Sequence, residues 1–164
     1  MTNRGNFLRD QRGAAAAEMA LMVPLLLTLM FVGFEAGNYF YNEQRVIKAV
    51  REGARYGGRL GFAAYPCDGT TDTDAVEKIQ QITRSGTVTG TGSRVPGLAL
   101  TDISVTHRCD ADFEKLGIFR GTTGGAPIVL VHAKTTYVSL FEQLGVIDSS
   151  ATIQASAEAV VNGI

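Results

Sequence analysis

From Met19 to Phe34 the chain reads MALMVPLLLTLMFVGF without a single charge, and one carboxylate, Glu18, stands at its mouth. With the four alanines that open it, the segment from Ala14 to Phe34 matches the ~20 residues a helix needs to cross a bilayer. It is apolar all round, so it cannot be the half-wet surface helix of a soluble domain. Pro24 lies inside it and should remove one helix hydrogen bond, giving a kink or a local loosening. Membrane helices tolerate this better than soluble ones. Glu18 is the anomaly. An ionised carboxylate in hydrocarbon costs at least ~2.5–3.5 kcal/mol, so such residues usually mark function.

The residues ahead of this run carry Arg4, Arg9 and Arg12 against Asp10, a net of +2. Basic flanks favour the cytoplasmic side, which predicts that the C-terminal bulk faces outward. A secretory signal peptide shares the basic start, but the apolar run is too long, Glu18 interrupts its beginning, and no A-x-A-like site follows. An uncleaved signal anchor remains the competing reading. The whole chain has a formal charge of −1, which is not basic enough to suggest nucleic-acid binding.

Beyond Glu35 the helical pattern continues but changes character. Ala36, Phe40, Ile47, Val50 and Ala54 recur at helical spacing, with Glu43, Arg45, Lys48, Arg51 and Arg55 on other faces. Gly57-Gly58 is a natural stop. One helix of about 44 residues, roughly 66 Å long, is therefore expected, with Lys48 and Glu52 paired along it. After it comes a head, from Arg59 onward. Asp72 or Thr73 can cap a short helix through Ala75, Val76, Ile79 and Ile82, ended by Ser85-Gly86. Thr87 to Gly97 reads as loop. Three strands are expected at Leu98–Arg108, Ile128–Val138 and Ala151–Val161. The fold class is α+β: a long N-terminal helix, membrane-spanning and then amphipathic, with a small antiparallel sheet and one short helix. The expected division is 1–13 leader, 14–58 long helix with its span at 14–34, and 59–164 extracytoplasmic head.

Cys67 and Cys109 are the two cysteines, both downstream of the span. Outside the cytoplasm they are placed to form one disulfide, a closure contributing about 3–4 kcal/mol; two unrelated thiols are the alternative. Two cysteines without clustered histidines make a poor zinc site, so no metal is expected. Gly53, within the helix, costs ~1 kcal/mol against alanine. Close packing against a neighbouring element would justify it, and a plain surface glycine is the other reading. His107 and His132 fall in strands, away from any acid or nucleophile pattern. Asp68, Asp72 and Asp74 lack calcium-loop spacing. With no G-x-S-x-G, Walker A, H-E-x-x-H or G-x-G-x-x-G motif, neither an enzyme nor a cofactor is expected.

Arg12-Gly13 through Glu18, Pro24, the leucine-rich run, Glu35 and the REGAR segment at 51–55 together have the layout of a type IV prepilin-like signal and stalk. In them the chain resembles the TadE-like family of minor pilins (pseudopilins) of Tad, or Flp-type, pilus systems. A β-rich stretch near 128–138 followed by SSATIQASAEAVV at 149–161 adds a less specific likeness. The resemblance implies cleavage by a prepilin peptidase between Gly13 and Ala14, with N-methylation of the new terminus. Glu18 would be the assembly carboxylate, neutralising a free α-amine in its own or an adjacent subunit; a glutamate reaching into lipid headgroups is the plainer alternative. Also implied are an inner-membrane location with the head periplasmic, and partners among other major and minor pilins, the Tad assembly machinery and membrane lipid. The implied role is in pilus assembly, supporting adherence and surface colonisation. Met19 stands where a tyrosine often follows the glutamate of major pilins, which fits a minor component. From another class comes the alternative of an uncleaved, single-pass envelope protein whose outer domain binds a partner.

Overall fold

A computed structural model describes residues 11–141 and 151–163, with side chains from residue 13 onward. Most of the leader expected at 1–13, and Ser149-Ser150 of the C-terminal likeness, lie outside the described residues. The first element, α1, is one helix over Gln11–Gly57, 47 residues or about 70 Å. It begins three residues before the expected Ala14. Four consecutive alanines propagate helix well enough to carry it back through Gly13.

The remaining elements are helix α2 (Thr73–Ser85) and strands β1 (Ile103–Asp110), β2 (Ala126–Thr136) and β3 (Thr152–Val160). The strands form an antiparallel meander in the order β1-β2-β3. Its register sets Val105 opposite Val131 and Val131 opposite Ala157, so alternate residues of all three strands share the inner face. The first strand departs from expectation. Leu100–Asp102 is a 3-10 turn held by Asp102, whose carboxylate accepts from the Ala99 N–H at 2.9 Å. Pairing therefore starts only at Ile103. At the end of α2, Gly86 sits at φ +81°, a left-handed cap that glycine adopts without steric penalty.

The C-terminal half of α1 lies across the inner face of the sheet. Val46, Ala49, Val50 and Ala54 join Ile79 of α2 and Val129, Val131 and Ala133 of β2 in one core. The buried stripe is only partly the one expected, which it shares at Val50 and Ala54. Phe40 is exposed and Ile47 only half-buried, while Glu35 and Asn42 are buried. The expected stripe followed hydrophobicity alone, whereas the observed face also turns Glu35 to donors of Tyr137 and Leu140, just past β2. Small residues bring α1 close to β3: a Cβ on Gly58 would stand 2.9 Å from the Val160 carbonyl oxygen and 3.2 Å from Ala159 Cβ. Nor do Lys48 and Glu52 pair as expected. Glu52 accepts instead from the Arg94 guanidinium at 2.7 Å, which ties the 87–97 loop back to α1.

Candidate functional site

The N-terminal half of α1 is long and apolar enough to cross a membrane. Every residue from Gly13 to Met30 is exposed, with Leu21 at 79 % and Leu29 at 62 %. Burying a leucine side chain is worth about 1.5–3 kcal/mol. No described part of the chain covers this surface, which is compatible with a single-pass membrane anchor. Gly13 and Ala14 lie in the first turns of the helix, and no atom lies within 4 Å of where a Gly13 Cβ would be. Glu18 is exposed, one turn beyond Ala14 and on the same face, as residues four apart are. The helix continues through Pro24, and the Thr28 hydroxyl donates to the Pro24 carbonyl at 2.9 Å.

The apolar run of α1 ends at Glu35, which is completely buried. The Tyr137 hydroxyl, just past β2, donates to Glu35 Oε1 at 2.7 Å. The Leu140 N–H donates to Oε2 at 3.2 Å. Asn38, one turn along α1, donates through Nδ2 to the Tyr137 oxygen at 2.8 Å, and Tyr39 stacks edge-on against the Tyr137 ring at 5.2 Å. Burial by itself pushes the Glu35 carboxyl up. Hydrogen bonds from Tyr137, Ser139 and the Leu140 and Phe141 backbone outweigh that, and hold it below its ordinary value. The Tyr137 phenol is pushed up by burial and by the adjacent carboxylate.

At the far end of α1, Gly53 is buried beneath α2. A Cβ there would meet Thr83 Oγ1 at less than contact distance, and Thr83 Cβ at 3.3 Å. Cys67 and Cys109 are joined in a disulfide with Cα atoms 5.8 Å apart, which pins the loop after α1 to the end of β1. His107 is held on both ring nitrogens, by the Thr71 hydroxyl at 2.7 Å and the Pro66 carbonyl at 3.0 Å. Among the described residues, no group of three or more His, Cys, Asp and Glu side chains converges as metal ligands would.

Sequence reasoning placed Glu35 at the change from membrane to amphipathic pattern but assigned it no role. Its signal was present, a carboxylate closing a charge-free run. Its partner, 102 residues away, carries no local mark. The structure brings Glu35, Asn38 and Tyr137 together and leaves Gly13, Ala14, Glu18 and Pro24 along one exposed helix.

No curated protein and no solved structure matches this chain. A family model described as TadE-like protein matches residues 13–55, which is α1 almost from end to end. Over that helix the chain is similar to the TadE-like family, as the residues from Gly13 to the REGAR segment led us to expect.

Proposed function

We propose that this chain is a minor pilin, or pseudopilin, that acts in assembly of a Tad (Flp-type) pilus. The observation that carries the reading is the TadE-like match at residues 13–55, lying on a helix that is exposed at every residue from Gly13 to Met30. A prepilin peptidase cuts between Gly13 and Ala14. The chain waits in the inner membrane with residues 14–34 spanning it and the 59–164 head in the periplasm. It is then drawn into the filament, exchanging lipid for the apolar helices of major and minor pilins. Glu18 supplies the carboxylate that a free α-amine of the same or a neighbouring subunit neutralises, since a charge taken out of water needs a partner. Its role is structural and not catalytic, in support of pilus-mediated adherence and surface colonisation.

Intact-mass and N-terminal analysis of the protein purified from its native membrane tests the proposal. A chain beginning at Ala14, with one added methyl group, is the expected result. A chain that keeps residues 1–13 in cells with an active prepilin peptidase overturns it, and makes the protein a permanently anchored envelope protein.

A further inference from the structure

The segment that follows β2 is strapped to the last turn of the apolar run. Two of its contacts are the hydrogen bonds to Glu35 from Tyr137 at 2.7 Å and Leu140 at 3.2 Å. The third is aromatic: Phe141 meets Phe31 edge-on, with ring centroids 5.1 Å apart. Phe31 lies four residues, or about 6 Å, to the membrane side of Glu35. The Phe141 ring is therefore level with the apolar run and not above it. Beside it, Leu140 is 59 % exposed. On the other side of Glu35 the rings of Phe40 and Tyr41 are exposed, a residue type enriched at the level of lipid headgroups.

We propose that Val138–Phe141 is a second membrane contact, a strap that sets Leu140 and Phe141 into the outer interface of the bilayer beside α1. The inference rests on the reading that residues 14–34 span the membrane. Lipid is the occupant because the strap's apolar surface is continuous with that of the span, through the Phe31–Phe141 contact. Glu35 is what holds the strap there. A carboxylate at the end of a membrane helix cannot be left bare against hydrocarbon, and the strap's own donors satisfy it while drawing Leu140 and Phe141 down. The head is thereby seated at a fixed height against the membrane, and leaving the bilayer requires withdrawal of the strap as well as of the helix.

The test uses the full-length chain in nanodiscs of phosphatidylcholine and phosphatidylglycerol, with a bimane dye on one added cysteine. Leu140→Cys reports the strap and Leu26→Cys the span. Ile118→Cys, in the loop before β2, reports the opposite end of the sheet, about 35 Å away along an eleven-residue strand. Lipids spin-labelled near the headgroup or deep in the chain act as quenchers. The expected result is strong quenching at 26 by the deep label, and quenching at 140 by the shallow label several-fold above that at 118. Glu35→Ala, or the milder Tyr137→Phe, should lower the signal at 140 and leave that at 26 unchanged. Quenching at 140 no greater than at 118, with 26 still quenched, overturns the strap and leaves the span intact. Absence of quenching at 26 removes the span and the strap together.

Discussion

Replacing Gly53 by alanine should destabilise the head by about 1–3 kcal/mol, against what helix propensity alone would give. Alanine in place of glycine favours a helix by ~1 kcal/mol. The new methyl group, however, would press on Thr83 Oγ1, stand 3.3 Å from Thr83 Cβ and lie 3.6 Å from Ile79 Cγ2. Thr83 cannot turn away freely, because its hydroxyl donates to the Ile79 carbonyl at 2.7 Å, a bond worth ~1 kcal/mol. Separating α1 from α2 instead incurs the usual overpacking cost of ~1–3 kcal/mol. Either response exceeds or cancels the propensity gain, and together they set the expected range. Thr83→Ala removes the obstructing oxygen, so in that background Gly53→Ala should be neutral or stabilising by up to ~1 kcal/mol. The double-mutant cycle then gives a coupling energy of ~1–4 kcal/mol, towards the upper part of the range usual for neighbouring residues. Urea unfolding of the full-length chain in detergent, followed by the near-ultraviolet circular dichroism of its buried tyrosines, would measure it, provided the slope m is unchanged. A gain of ~1 kcal/mol for Gly53→Ala in both backgrounds would mean that the close approach of the helices does not constrain this position.

Glu18→Ala should leave membrane insertion and leader cleavage intact while reducing incorporation into pili, and Glu18→Lys should be worse; normal piliation of the alanine variant, scored by electron microscopy, would remove the assembly role. Cys67→Ser with Cys109→Ser opens a loop of sequence separation 42 and should lower stability by about 4 kcal/mol in the chain-entropy picture, read as a lower urea midpoint than that of the oxidised protein. Glu35 titrates in the fold below its ordinary value of 4.5. Its stabilising contribution is therefore complete above that value and is lost as pH falls through the lower folded value. Unfolding midpoints measured across acid pH should show a loss that Glu35→Gln abolishes. Tyr65 is buried and donates to the Gly57 carbonyl at 2.8 Å, and burial raises its phenol pKa. Tyr65→Phe removes that bond and leaves the carbonyl only the Leu60 N–H at 3.1 Å, which should cost about 0.5–1.5 kcal/mol by the same unfolding assay.

The membrane-grade helix, its approximate end at Gly57, α2 with its Gly86 cap and the three strands were all legible in the sequence. Each is written in local terms: an uninterrupted apolar run, a glycine after the last helical turn, or alternation with period two. The antiparallel order was legible too, because strands consecutive in the sequence usually pair as neighbours. Boundaries were less so. β1 starts at Ile103 because Asp102 folds back onto the Ala99 N–H, a capping choice that competes with strand pairing and leaves no periodicity behind.

The sequence by itself determined that this protein has a stalk and a head, since a charge-free run of that length has no stable place in a small soluble core. It also carried the TadE-like pattern from Gly13 to the REGAR segment, which is read along one helix and needs no partner to be seen. Only the tertiary structure decided which face of the stalk the head grips. That face includes Glu35 and Asn42 and leaves Phe40 outside, and at Glu35 burial is settled by the donors of Tyr137 and Leu140 as well as by apolar area. Only it could join Glu35 to Tyr137, Glu52 to Arg94, or Gly53 to Thr83, as each pair is brought together by the turn of the chain at Gly57-Gly58 and the packing of separate elements. Local pattern reports what a segment can form, and contact across the fold selects which of its residues bear the load.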